Sequence, residues 1–183
     1  MNILITGATG FIAKNLINNL INSKYKIFIC SRDIKKISYY PKSIEKRQII
    51  WDKKNNFEII LSKINMVIHT MSPDHNKEKA EFSKFYEINK KFCDVIKKKN
   101  NITFIYLSSV QVYGHYLKGV IKENNPLRFE NNYSRLKILI EKYIQNNLKK
   151  FIIIRLSNVY GEPSKNKNIN KLFINDLIYK AIK

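Results

Sequence analysis

The sequence predicts an α/β fold, with a doubly wound parallel sheet that is covered by helices on both faces. Two observations predict it. Short, continuous apolar runs alternate with longer segments of helical periodicity, which is typical of parallel strands buried on both faces. Glycine or polar residues follow most of these runs, so they would gather at one edge of the sheet, outside the carboxyl ends of the strands. We expect right-handed crossovers and the strand order 3-2-1-4-5-6.

Length and composition limit the class of protein. A chain of 183 residues that is 44% hydrophobic can form one domain with a sizeable core. No run of about 18 apolar residues predicts a membrane helix, and the first residues do not resemble a secretory signal. Cys30 and Cys93 form no metal-binding spacing, so we expect no metal site and interpret both as buried, reduced thiols of a cytoplasmic protein.

The charge is strongly basic, with 34 Lys and Arg against 14 Asp and Glu. Such a balance can indicate a nucleic-acid partner. The basic residues are mostly Lys and are spread along the chain, which favours a solvated basic surface. We therefore expect no nucleic-acid partner, although the positive field would attract phosphorylated ligands.

The first strand and its turn have the layout of a dinucleotide-binding site. Ile3 to Ile5 suit a buried strand, Gly7 permits a tight turn, and Gly10 allows close approach of a pyrophosphate. A helix from Phe11 would direct its N-terminal amides at that anion. Ala13 replaces the third glycine of the usual fingerprint and is small enough for helix–strand packing. Alone, such a turn is also compatible with a structural role without a ligand.

The second strand, 25–30, is followed by Ser31, Arg32 and Asp33, about 20 residues beyond the turn. At this place an acidic side chain binds the ribose 2′-hydroxyl of NAD, whereas an Arg accommodates the 2′-phosphate of NADP. Arg32 favours NADP, Asp33 leaves NAD open, and Arg32 can also be a plain surface charge.

The remaining elements follow in order. We predict a short helix and loop over 33–46, a strand over 47–51, a short helix over 56–63, a strand over 64–70, a helix over 74–99, a strand over 102–107, a loop over 110–132, a helix over 133–148, a strand over 151–156, a polar loop over 161–170 and a helix over 171–183. His69, near the end of the fourth strand, is more typical of a structural than of a catalytic histidine.

A candidate catalytic group lies around the fifth strand and the helix that follows it. Tyr133 and Lys137 are four residues apart and share one helix face, and Ser109 follows the fifth strand. A Lys ammonium beside a Tyr, together with a positively charged nicotinamide, would bring the phenol pKa from about 10 toward neutrality. Ser109 could hold the hydroxyl or carbonyl that gains or loses a hydride. The pattern predicts proton transfer coupled to hydride transfer.

Five ordered motifs resemble the extended short-chain dehydrogenases/reductases, the NAD-dependent epimerase/dehydratase family. They are T-G-A-T-G-F-I-A at 6–13, N-M-V-I-H-T at 65–70, S-S-V-Q-V-Y-G at 108–114, Y-S-R-L-K at 133–137 and R-L-S-N-V-Y-G at 155–161. The resemblance implies a Rossmann-type fold and the catalytic residues Ser109, Tyr133 and Lys137. It implies substrate contacts from Ser109 and Asn158, and cofactor contacts from Gly7, Thr9, Gly10, Phe11, Ile12, Ser31, Arg32, Asp52, Lys53, Thr70, Met71, Ser72, Asn89, Tyr133 and Lys137.

The resemblance also implies a function and a partner. We expect NAD or NADP as cofactor, and an epimerase, dehydratase or reductase reaction on a sugar nucleotide or a related hydroxyl or carbonyl compound. Family members form a homodimer through the helices that match 74–99 and 133–148. They continue into a substrate domain that is largely absent here, so we expect a nucleotide-binding domain over 1–160 and only the start of a substrate domain over 161–183. The alternative is a non-catalytic NAD(P)-binding module, a sensor or assembly partner.

Overall fold

The computed structural model describes residues 1–49, 58, 60–73, 79–114 and 119–160. Within these ranges one parallel sheet has the order β3-β2-β1-β4-β5-β6, as the sequence predicted. Its strands are β1 (Asn2–Thr6), β2 (Lys26–Ser31), β3 (Glu45–Gln48), β4 (Met66–His69), β5 (Thr103–Ser109) and β6 (Phe151–Leu156), and the helices are α1 (Phe11–Leu20), α2 (Lys79–Lys97) and α3 (Asn132–Asn147). The predicted fold class is confirmed.

The apolar strands are continuous because the sheet is buried on both faces. Along β1, Ile3 and Ile5 pack with Ala13 and Ile17 of α1 in one core cluster. Leu4, between them, belongs to a second and larger cluster on the opposite face. That cluster holds side chains of α2 and α3, among them Phe92, Cys93, Leu136, Ile140 and Ile144. The successive side chains of a strand thus supply two separate cores.

Three predicted elements differ from the structure. The third strand was predicted at 47–51, but β3 covers Glu45–Gln48 and pairs with Phe28–Ser31 of β2. An edge strand needs fewer apolar residues, and here Glu45 forms ion pairs with Lys26 and Arg47 instead. The helix predicted within 33–46 is a 3-10 turn over Ile34–Ile37. The predicted loop after the fifth strand begins with a second 3-10 turn, Val110–Tyr113.

The fifth strand is longer than predicted and therefore includes the candidate catalytic serine. Backbone pairing with β6 continues through Ser108 and Ser109, which lie opposite Arg155 and Leu156. The predicted loop over 161–170, the helix over 171–183 and residues 56, 57 and 59 of the helix predicted over 56–63 lie outside the described residues.

Candidate active site

The glycine turn leaves the N-terminus of α1 open. Gly10 is the N-cap residue, its backbone is extended (φ −77°, ψ 157°), and no side chain caps the helix. The first turn also carries no acidic residue. Because first-turn amides have no partner inside a helix, they form an electropositive end that is suited to an anion. The turn therefore fits the pyrophosphate of a dinucleotide.

Gly7 is required by its surroundings as well as by its backbone angle. Its φ is +69°, and a Cβ atom there would lie 2.7 Å from Thr70 Oγ1 and 3.2 Å from the Met71 nitrogen. Thr70 cannot easily give way, because its hydroxyl donates a 2.7 Å hydrogen bond to the Thr6 carbonyl. This contact holds the turn against the end of β4.

Replacing Gly7 with alanine is expected to lower the free energy of unfolding by more than the roughly 1–2 kcal/mol of a left-handed backbone alone. Gly119→Ala is the matched control, since its φ is +81° but nothing lies within 4 Å of its Cβ position. Urea unfolding of both variants measures the difference, which represents the contact with Thr70. Equal losses in the two variants would contradict this account.

Two cavities lie side by side at the carboxyl edge of the sheet, and Gly10, Thr70 and Ser72 line both of them. The first, of about 210 Å³, extends to Ser31 and Arg32. The second, of about 330 Å³, extends to the predicted catalytic residues. The predicted ligands divide between them: Gly7, Thr9, Gly10, Ser31, Arg32, Thr70, Met71 and Ser72 line the first cavity, and Gly10, Phe11, Ile12, Thr70, Ser72, Ser109, Tyr133, Lys137 and Asn158 line the second.

The first cavity ends at a positively charged side chain. Arg32 is exposed at its rim. The neighbouring Asp33 is engaged elsewhere, because its carboxylate accepts a 3.0 Å hydrogen bond from the Lys35 nitrogen and caps the 3-10 turn. The Asp33 nitrogen in turn donates to Ser31 Oγ at 3.2 Å. One carboxylate oxygen of the acidic group that left NAD open in the sequence thus caps the local turn.

A capping box places Tyr133 in the first turn of α3. The Ser134 nitrogen donates to Asn131 Oδ1 at 2.7 Å, and the Asn131 nitrogen donates to Ser134 Oγ at 3.1 Å. Such reciprocal bonds satisfy two helix-end donors and fix the helix start. Tyr133 and Lys137 then point from successive turns into the cavity that Ser109 lines from β5.

Lys137 is almost completely buried, with 3% of its surface exposed. Its Nζ donates to the Leu107 carbonyl at 2.7 Å and lies 4.8 Å from the centre of the Tyr106 ring and 5.5 Å from that of Tyr133. Burial lowers its pKa to about 7, although the charge of Glu141 acts in the opposite direction. The side chain can therefore change between its amine and ammonium forms near neutral pH.

The pKa of Tyr133 differs from the sequence expectation. Within the chain itself, burial raises this pKa above the usual 10, and the hydroxyls of Ser72 and Ser109 oppose that shift. The predicted approach toward neutrality rested on a Lys ammonium and on a positively charged nicotinamide beside the phenol. Burial instead weakens the charged form of both groups.

His69 and Asn89 have structural contacts behind the site. His69 Nδ1 lies 2.9 Å from Thr6 Oγ1, and its Nε2 lies 2.8 Å from Asn89 Oδ1. Asn89 donates through Nδ2 to the Phe85 carbonyl at 2.7 Å, so its oxygen must accept the proton of His69 Nε2. Burial lowers the pKa of His69 to about 3, so this histidine is neutral at physiological pH. Its contacts agree with the structural role that the sequence favoured. Asn89 is 2% exposed and lines neither cavity, so cofactor contact by this residue stays a prediction.

Other residues were not placed in or near the site by the sequence alone. Glu81, Lys84, Phe85 and Ile88 of α2 line the first cavity. Glu141 and Arg155 form a buried ion pair behind Lys137, for which the spacing of Lys137 and Glu141 was the available signal. The predicted ligands Asp52 and Lys53 lie outside the described residues.

Two kinds of feature were not found among the described residues. Among the described helices, none is long and apolar enough to cross a membrane. The described ranges also hold no group of three or more His, Cys, Asp or Glu side chains placed to bind a metal ion.

Known proteins of similar structure share this fold. The dTDP-glucose 4,6-dehydratase of Bacillus anthracis, solved with NAD, superimposes with a TM-score of 0.76 at 22% identity, over 100% of this chain and 61% of its own. The UDP-glucuronic acid 4-epimerase of Bacillus cereus, also solved with NAD, gives 0.74 at 22% identity, over 88% of this chain and 57% of its own.

Known proteins are also similar to this chain in sequence. A putative UDP-glucose 4-epimerase of Methanocaldococcus jannaschii is 27% identical over 96% of this chain and 63% of its own length, and human dTDP-D-glucose 4,6-dehydratase is 26% identical over 94% and 55%. The chain thus spans about 60% of the relatives that it matches. The model of the NAD dependent epimerase/dehydratase family matches residues 3–183. The chain belongs to the NAD dependent epimerase/dehydratase family.

Proposed function

We propose that the chain binds NAD(P) along the two joined cavities and carries out hydride-transfer chemistry on a sugar nucleotide. The observation that carries this proposal is the continuity of the groove. It runs from Arg32, past the open N-terminus of α1, to Tyr133, Lys137 and Ser109. A dinucleotide has its adenosine, pyrophosphate and nicotinamide in this order. The names of the relatives support a nucleotide sugar as substrate.

The residues of the groove would hold the cofactor at three places. The first-turn amides of α1 bind the pyrophosphate, Ser31 and Arg32 bind the adenosine ribose, and Lys137 binds the nicotinamide ribose. When bound there, the nicotinamide supplies a hydride acceptor or donor beside the substrate carbon.

The chain's own side chains then handle the proton. Tyr133 Oη takes the proton from the substrate hydroxyl, or returns it to the carbonyl, as general base and acid. A nearby positive charge favours the phenolate, and Lys137 can supply this charge while it is protonated. Ser109 positions the substrate oxygen, and Asn158, exposed at the rim of the second cavity, contacts the rest of the nucleotide sugar.

We further propose NADP as the preferred cofactor. Arg32 lines the adenosine end of the groove and is exposed, so it can contact a 2′-phosphate. The Asp33 carboxylate accepts a hydrogen bond from the backbone nitrogen of Lys35. Arg32→Ser is expected to weaken NADP⁺ binding at least about tenfold, since the loss of a charge-assisted hydrogen bond costs roughly 1.5–3 kcal/mol, and to leave NAD⁺ binding within about twofold. Calorimetric titration of both nucleotides measures the ratio. Equal weakening of both would contradict the assignment of Arg32.

A thermal-shift titration with NAD⁺, NADH, NADP⁺ and NADPH tests the proposed function itself, because a ligand that binds the native state raises its stability. Binding of any of the four, with turnover of a nucleotide sugar, supports it. Binding without turnover favours the non-catalytic module, the alternative that the sequence left open. No binding of any of the four would overturn both.

The oligomeric state and location belong to the same proposal. The groove between α2 and α3, about 320 Å³ in volume, is lined by Tyr86 and Leu139 and by the buried side chains of Phe82 and Leu136. We propose that these helices meet their copies in a homodimer, and a monomer in sedimentation velocity at micromolar concentration would contradict this. We also place the protein in the cytoplasm, in keeping with the free, buried Cys30 and Cys93, which fractionation of the source cells tests.

A further inference from the structure

A buried ion pair lies directly behind the proposed proton-transfer site. Glu141 on α3 is 0% exposed, and its Oε2 accepts a 2.7 Å bond from Arg155 Nη2 of β6. Arg155 Nε lies 3.2 Å from both carboxylate oxygens. The hydroxyl of Ser108 donates to Glu141 Oε1. The carboxylate is therefore held from two strands of the sheet.

Arg155 extends this contact to the 3-10 turn that follows β5 and to the loop that precedes α3. Its Nη1 donates to the Tyr113 hydroxyl at 2.6 Å and to the Glu123 carbonyl at 2.8 Å. The guanidinium also lies 4.9 Å from the centre of the Tyr113 ring. Tyr113 ends the 3-10 turn that Ser109 caps, since Ser109 Oγ accepts a bond from the Gln111 nitrogen. The pair thus joins α3, β5, β6 and that turn.

Two residues of the proposed site adjoin this pair. Lys137 precedes Glu141 by four residues, so the two lie on one face of α3. Ser109 follows Ser108, whose hydroxyl Glu141 holds. A buried ion pair is often no more stabilising than apolar side chains of the same volume. Stability alone is thus a weak reason to place a charge here.

We propose that Glu141, fixed by Arg155 and Ser108, is a positioning residue that favours the protonated form of Lys137 and orients Ser109 for the reaction. The role of Lys137 and Ser109 in catalysis rests on the proposed function. The effect of Glu141 on Lys137 is a property of the chain itself and can be measured without cofactor or substrate.

The surroundings of Lys137 contain few groups that could replace Glu141. Tyr106 of β5 and Tyr133 of α3 face its ammonium with their rings, and His69 of β4 is neutral. Burial lowers the pKa of Lys137, and the carboxylate of Glu141 opposes that shift. Among the described residues, the acidic influence on Lys137 therefore comes from Glu141.

The test is the pKa of Lys137 in the full chain, followed by NMR of protein labelled with ¹³C at lysine Cε. The signal is assigned from its absence in Lys137→Met. Glu141→Gln keeps the shape of the side chain and removes its charge, so we expect the pKa of Lys137 to fall by about 1 pH unit. The matched control Glu45→Gln removes a carboxylate from the surface ion pairs of β3, and it should leave this pKa unchanged. An unchanged Lys137 pKa in folded Glu141→Gln would overturn the proposal.

Two further variants keep the proposal testable if Glu141→Gln does not fold. Glu141→Asp retains the charge, so the pKa of Lys137 should stay near the wild-type value. Arg155→Lys retains a positive charge beside the carboxylate, so this pKa should also stay near the wild-type value. A fall in Glu141→Asp as large as that expected for Gln would contradict an electrostatic role.

Cofactor affinity separates this inference from the proposed function. At pH 7.5 Glu141→Gln should bind NADP⁺ at least about threefold more weakly than wild type, and at about pH 5 the two affinities should converge because Lys137 is then mostly protonated in both. If wild type binds no nucleotide while the Lys137 pKa shifts as expected, the proposed function fails and the electrostatic role of Glu141 stands. If nucleotides bind and the pKa does not shift, the inference fails alone.

Discussion

Replacing Tyr133 with phenylalanine is expected to lower kcat for a nucleotide sugar by about 10²–10⁴-fold, the usual contribution of a general acid or base. The substitution removes only the hydroxyl, and the ring keeps its place against the larger core cluster. The affinity for NADP⁺ should therefore stay within about twofold of the wild type. Initial rates from the absorbance of the reduced nicotinamide, together with calorimetric binding, measure both quantities.

The matched control is Tyr143→Phe on the same helix, whose hydroxyl contacts Asp94 rather than the cavity. This variant should keep the wild-type kcat. Burial raises the pKa of Tyr133, so turnover by the wild type should increase with pH while the phenol is still protonated, and the residual activity of Tyr133→Phe should lack this increase. An unchanged kcat in Tyr133→Phe would exclude this residue as the acid/base group.

Acidification from pH 7 to pH 5 is expected to lower the free energy of unfolding by about 2 kcal/mol through His69 alone. The folded-state pKa of about 3 lies below the ordinary value of 6.5. The unfolded chain thus takes up this proton first as pH falls. The contribution of His69 is complete above pH 6.5 and is lost progressively toward pH 3. Urea unfolding followed by circular dichroism at several pH values measures the slope.

His69→Gln should be less stable than wild type at pH 7 and should change less between pH 7 and pH 5. The matched control is Ile144→Val, a fully buried core residue whose shortening costs about 0.5–1.5 kcal/mol without removing a titratable group. That variant should keep the wild-type pH dependence. A wild-type slope in His69→Gln would show that another group causes the acid sensitivity.

The sheet and its ligand-binding edge were predictable because they depend on local patterns. The buried strands β1, β2 and β5 are continuous apolar runs, and the strand order follows from their alternation with helices. Gly7 and Gly10 belong to a turn whose chemistry depends on the absence of side chains. Tyr133, Lys137 and Ser109 line one cavity. This was predictable because the four-residue helix spacing and the end of the strand are both visible in the sequence.

Long-range contacts were not predictable from the same patterns. Glu141 follows Lys137 by four residues, a spacing that is also typical of an ion pair on a helix surface. The fold shows instead that the Glu141 carboxylate is buried and pairs with Arg155 of β6. Asp33 caps a 3-10 turn that has no strong sequence signal. The direction of the Tyr133 pKa depends on burial, which the motif does not reveal.

The end of β5 carries two serine hydroxyls that have different roles. Ser108 donates into the ion pair behind the site, whereas Ser109 lines the cavity and caps the following turn. A substitution at 108 would first affect the contact with the Glu141–Arg155 ion pair. A substitution at 109 would first affect the proposed reaction. Because side chains alternate along a strand, these two roles fall on adjacent positions and on opposite sides of β5. The contact that holds the ion pair and the hydroxyl that faces the cavity are therefore one residue apart on β5, and this is the path by which Glu141 can act on Ser109.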